Sequence, residues 1–94
     1  MRYKKSPQAD ADLIQANISG IEKFGVAQAL KYHQALEYTF ELIAENPRVG
    51  KRLARFDGLR QFHHGRHLII YGVEKDAILI VRVLYDGMDI NRHL

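Results

Sequence analysis

The sequence has no cysteine and no tryptophan, two prolines, and only two serines, Ser6 and Ser19. Without thiols, disulfides and thiolate metal sites are excluded, and a reducing, cytoplasmic setting is expected. A Ser-His-Asp arrangement is hard to build, because Ser6 reads as a helix cap and Ser19 falls within a helix. No stretch approaches the roughly 20 apolar residues of a membrane span, and no targeting segment is expected. Nucleotide-binding glycine loops, zinc-type clusters and nucleophile elbows are also missing. His63 and His64 are adjacent on a predicted strand and so point to opposite faces, which makes joint chelation improbable. Neither a metal nor a cofactor is expected.

What is present fits one domain spanning residues 1–94, with an ordinary hydrophobic content of 47%. Its organising stretch is Gly65 to Leu94. Two runs rich in Ile, Leu, Val and Tyr, His67 to Val73 and Ile78 to Leu84, flank Glu-Lys-Asp-Ala and predict a hairpin of two central strands. A turn centred on Lys75 and Asp76 sets Val73 opposite Ile78, Tyr71 opposite Ile80, Ile69 opposite Arg82 and His67 opposite Leu84. The face carrying Leu68, Ile70, Gly72, Leu79, Val81 and Val83 is wholly apolar and is expected to be core. The other face is apolar except for Arg82. A buried arginine needs a carboxylate, a tail carbonyl or an open wet face, and the choice decides whether Arg82 is structural or functional.

The rest of the chain reads β-α-α-β-β-β, an α+β domain with an N-terminal helical hairpin packed on a small antiparallel sheet. Met1 to Lys5 is a short edge strand. Ser6-Pro7 starts a helix, since serine caps the first amides and proline sits where its missing donor is harmless. Leu13, Ile14, Ile18, Ile21 and Phe24 recur at helical spacing, and Gly25 ends the helix. The second helix carries Val26, Ala29, Leu36, Phe40 and Ile43, with His33 in the same stripe as a hydrogen-bonded core residue. Asn46-Pro47 ends it. A loop from Arg48 to Gly58 and a weak strand, Leu59 to His64, lead to a turn at Gly65.

Net charge is +3, unevenly spread. Arg48, Lys51, Arg52, Arg55, Arg60 and Arg66 face a single acid, Asp57, between residues 48 and 66. Such a run is either a solvated loop and edge strand or a surface for an anionic partner: DNA, RNA or an acidic protein segment. Metal-free nuclease chemistry would find cations and imidazole in Arg82, His67, Arg92 and His93, but no evident general base.

Several motifs together resemble the ParE toxins of bacterial type II toxin-antitoxin modules, within the RelE/ParE superfamily. They are SPQADADL, FGVAQALKYHQAL, LIAENPRVGKRL, LRQFHHGRHLIIYGVE and ILIVRVLYDGMDINRHL, which cover nearly the whole chain. The resemblance implies a protein that inhibits DNA gyrase, acts without catalysis of its own, and is neutralised by a ParD-like antitoxin whose disordered tail folds onto it. RelE-like members instead cut messenger RNA on the ribosome with a basic active face. Leu68 stands where that branch would carry an arginine, Lys51 to Arg55 offers no carboxylate, and only Arg82 and His93 match. The departure favours gyrase, with RNA cleavage or mere antitoxin binding as alternatives. Arg82, Arg92, His93, Arg66 and His67 are the candidates for the target surface. Arg48, Lys51, Arg52, Arg60 and Tyr71 are those for the antitoxin. No membrane and no sequence-specific nucleic-acid binding is expected.

Overall fold

In the computed structural model, which describes residues 1–94, the serine and glycine signals act as their chemistry dictates. Strand β1 (Arg2–Lys5) leads to helix α1 (Pro7–Phe24), and Gly25, at φ 87°, separates it from α2 (Val26–Glu45). Short β2 (Lys51–Arg52), β3 (Leu59–His64), β4 (His67–Val73), β5 (Ala77–Tyr85) and a one-turn α3 (Ile90–His93) complete the chain. The sheet order is β1-β5-β4-β3-β2. The helical hairpin and the central β4–β5 pair are as expected, but the sheet is mixed, because β1 runs parallel to β5. The expected long loop also contains β2, which pairs with β3.

The expected core face is corrected. Register follows the prediction from Val73↔Ile78 to Tyr71↔Ile80, then shifts by one residue, giving Ile70↔Arg82, Ile69↔Val83 and His67↔Tyr85. This β-bulge leaves an extra residue on β5, and a one-residue shift moves later side chains to the other face. The core joins Ile69, Tyr71, Ile78, Ile80 and Val83 to Leu13, Leu36, Phe40 and Ile43 of the helices. Of the face expected to be core, Leu68, Leu79 and Val81 are half-buried, and Ile70 is buried outside that cluster. On α1 the buried residues are Ala9 and Leu13. Ile14, Ile18 and Ile21, expected inside, are 64%, 45% and 39% exposed, and form a second apolar stripe on the open side of the helix. Val26 is exposed, and His33 is half-buried beside Glu37 at 2.7 Å.

Where β1 ends, side chains seal the open edge of β5. Ser6 accepts from the Ala9 amide at 3.0 Å to cap α1, and its hydroxyl donates to the Val81 carbonyl at 2.7 Å. Asp12 then accepts from the Val83 amide at 2.9 Å and from Nε and Nη2 of Arg82, both at 2.8 Å. Arg82 Nη1 donates to the His93 carbonyl at 2.8 Å. The guanidinium therefore has both a carboxylate and a tail carbonyl, and its hydrogen bonds to Asp12 raise its pKa above the ordinary arginine value.

At the opposite edge, Tyr71 donates to the Pro47 carbonyl and accepts from the Gly50 amide, each at 2.8 Å. A Cβ at Gly50 would lie 2.6 Å from the Tyr71 oxygen and 2.8 Å from the Gln61 carbonyl, so only glycine lets the loop sit there. On the α2 side, Thr39 pairs with His64 at 2.9 Å and Tyr32 with His67 at 2.7 Å. Burial lowers the pKa of both histidines. His67 Nε2 has no partner, so a charged ring would hold a buried donor without an acceptor.

Asp12→Ala leaves a largely buried arginine and a strand amide unpaired, and it should cost about 3 kcal/mol or more by urea unfolding. A loss below about 1 kcal/mol would mean that the pair does not hold α1 to β5. The histidines give a pH dependence of definite sign. The unfolded chain takes up these protons near pH 6.5 and the folded chain only lower, so this stability is fully present above about pH 6.5 and declines as pH falls below it. The urea midpoint should drop between about pH 7.5 and about pH 5, where carboxylates remain ionised. A constant midpoint would contradict the assignment.

Candidate partner-binding surfaces

The fold divides the sequence-predicted site residues into four groups: interior, tail, basic loop, and Arg66 at the helical hairpin. Three of the residues are inside the structure. Tyr71 is 0% exposed and its hydroxyl is spent on the loop backbone, which removes it as an antitoxin contact. His67 is 3% exposed, with its ring 4.5 Å from that of Tyr85, and it offers no surface to a target. Arg82 is half-buried and engaged at all three of its nitrogens by Asp12 and the tail, so its charge is compensated internally. The causes differ: the helices pack on the β4 face that carries Tyr71 and His67, whereas the bulge turns Arg82 off that face to meet Asp12 and the tail.

Arg92 is exposed, with Asp89 4.0 Å away, whereas His93 is half-buried and serves Arg82 through its carbonyl. Arg48, Lys51 and Arg52 are exposed around the loop that Tyr71 anchors, and half-buried Arg60 donates to the Gly50 carbonyl at 2.7 Å. Arg66 is separated from this group by the length of β3. Its guanidinium lies over the ring of Phe24, 4.2 Å from the centroid, and 5.6 Å from that of Tyr32. The turn that places it is tight, since a Cβ at Gly65 (φ 55°) would come 2.8 Å from the Tyr32 oxygen.

Arg66 borders a groove of about 490 Å³ between the C-terminal half of α1, the N-terminal half of α2 and the start of β4. Ala16, Gly20 and Ala29 are small and leave the space, while Leu13, Phe24 and Leu36 supply apolar walls. Lys23, Lys31 and Arg66 contribute three cations, and no carboxylate lines it. Its size falls in the range of formed ligand sites. Chemically, the groove can take an apolar body that carries negative charge at its rim. Burial raises the Tyr32 pKa, so that hydroxyl stays neutral and serves as a hydrogen-bonding post for His67, the His64 carbonyl and the Arg66 amide.

Sequence reasoning missed Lys23, Lys31, Phe24 and Tyr32. The available signal was the run of small residues at positions 16, 20 and 29, which prevents two helices from filling the space between them. The exposed stripe of Ile14, Ile18 and Ile21 adds apolar surface on the same hairpin.

Residues 3–90 match the family described as the ParE toxin of the type II toxin-antitoxin system parDE. Toxin ParE1 of Mycobacterium tuberculosis, in two strains, is 34% identical over 95 residues, covering 99% of this chain and 97% of that protein. Toxin ParE1 of Caulobacter vibrioides is 34% identical over 93 residues, covering 98% of this chain and 96% of that protein. A solved structure described as a chromosomal ParDE TA system from P. aeruginosa superposes with a TM-score of 0.77 at 22% identity, covering 90% of this chain and 95% of that one. That likeness shows the fold alone, which in this chain is a helical hairpin laid on a five-stranded sheet. With the family match spanning almost the whole chain, and relatives that align end to end, the chain belongs to the ParE toxins of type II toxin-antitoxin systems.

Proposed function

We propose that this protein is a toxin that inhibits DNA gyrase and is neutralised by a ParD-like antitoxin whose tail lies in the groove between α1 and α2. The observation that carries the reading is the near full-length relation to ParE toxins, which leaves no segment of the domain outside the likeness. The groove supports the antitoxin half. A disordered acidic tail with apolar side chains needs an apolar trough with a cationic rim, and Lys23, Lys31 and Arg66 border one that no carboxylate enters. Rim charges of this kind chiefly speed association and make it salt-dependent.

The capture of Arg82 supports gyrase over RNA cleavage. An arginine with a carboxylate on two of its nitrogens and a carbonyl on a third has little left for a phosphoryl transition state. Leu68 occupies the position where the RNA-cutting branch would carry another cation. The tail offers Arg92, whose side chain is 84% exposed, as a contributor to the gyrase surface. Such a protein acts in the cytoplasm, where gyrase and its DNA are found.

The test puts the purified protein with gyrase and supercoiled plasmid, and in parallel with translating ribosomes carrying a defined message. Linear plasmid covalently linked to gyrase, with intact message, is the expected result. Addition of an equimolar antitoxin should abolish it. Site-specific cleavage of the message, with gyrase unaffected, would overturn the proposal.

A further inference from the structure

The end of the domain away from the groove carries a different kind of surface. Arg48, Arg52, Arg55 and Arg60 line a cleft of about 1250 Å³, and Asp57 is the one acid among its lining residues. No lysine or arginine between positions 48 and 66 takes part in an ion pair, although His63 in that span pairs with Asp86 and five other pairs form elsewhere in the chain. Arg52 stands directly opposite Arg60 in the β2–β3 register. Like charges placed so are destabilising, and a bound anion relieves the repulsion. Nor is the arrangement loose. Arg60 Nη1 donates to the Gly50 carbonyl at 2.7 Å and reaches the Arg48 carbonyl at 3.4 Å, while Gly50 is itself held by the buried Tyr71 hydroxyl. A core residue thus fixes the backbone on which these arginines are mounted.

From this geometry we infer that the cleft binds the phosphate backbone of duplex DNA without reading its sequence. Four planar guanidinium groups suit phosphate oxygens, which they can meet two at a time. No aromatic side chain lines the cleft. Aromatic anchors are what protein interfaces rely on, and stacking platforms are what single strands need, so both of those partners fit less well than a duplex backbone. The ribbon at the cleft, β2–β3, is only two residue pairs long and forms the edge of the five-stranded sheet, too short to enter a major groove on its own, and contacts confined to phosphates position a protein without specifying bases. This inference goes beyond gyrase inhibition and does not depend on it.

The experiment measures fluorescence anisotropy of a labelled 20-base-pair duplex of arbitrary sequence with the antitoxin-free protein over a range of salt, with no gyrase present. Affinity should fall with salt along a log–log slope of about −3 to −4, as expected for roughly four phosphate contacts. The triple variant Arg48→Gln, Arg52→Gln, Arg55→Gln should bind about tenfold or more weakly, with a slope smaller by about 3. The variant Lys23→Gln, Lys31→Gln, Arg66→Gln removes the same formal charge from the groove end and should keep most of the affinity. All six positions lie at the surface or at a groove rim, and thermal melting checks that both variants are folded. Equal losses in the two variants, no salt-dependent binding, or poly-glutamate binding as tightly as the duplex at equal charge would each overturn the inference.

Discussion

The bidentate pair between Asp12 and Arg82 is the constraint on which the arrangement of this domain rests. The two residues are 70 positions apart, and their contact joins the first helix to the central strand β5 just where β1 stops pairing with it. Asp12 also takes the Val83 amide, and Arg82 also takes the His93 carbonyl, so one carboxylate and one guanidinium bind helix, strand and tail together. A charge pair this sheltered is costly to desolvate, and its value lies in registry: neither ion tolerates the loss of the other. The same saturation removes Arg82 from the list of groups able to meet a target.

Much of the fold was legible in the sequence because its signals are local. Ser6-Pro7, Gly25 and Asn46-Pro47 mark helix ends by backbone chemistry that tertiary context did not override. The β4–β5 hairpin was legible from composition. Which face of it became core was not, since both faces are apolar around Ile69, Ile70, Ile80 and Val81; the bulge, which puts Val83 rather than Arg82 on the core side, has no glycine or proline to announce it either. Nor could residue patterns show that β1 pairs in parallel with β5, because that pairing follows from the path of two helices across the sheet. The Ile14, Ile18 and Ile21 stripe misled for a related reason: helical periodicity identifies an apolar face without saying that the domain itself covers it.

The candidate surfaces were legible as charge and illegible as places. Arg60 and Arg66 belong to one basic run in the sequence, yet Arg60 sits near the start of β3 and Arg66 beyond its end, and at strand rise the steps from Arg60 to His64 carry the chain about 13 Å. One ends beside the Tyr71-anchored loop and the other over Phe24 at the groove. The domain is thereby polarised, with an apolar trough with a cationic rim at one end and a nearly unpaired arginine cluster at the other. Tyr71 and His67, both read from sequence as contacts, are instead buried: Tyr71 holds the loop backbone at one end, and His67 braces Tyr32, whose hydroxyl meets the His64 carbonyl and the Arg66 amide at the other.

That polarity makes the location of the antitoxin the central point, and amide hydrogen exchange of the protein with and without its antitoxin tests it most directly. The account predicts slowed exchange in the facing halves of α1 and α2 and through the Gly65 turn, with the segment from Arg48 to Arg60 unchanged. Protection gained chiefly at Arg48 to Arg60, with the helical groove exchanging as in the free protein, would contradict it.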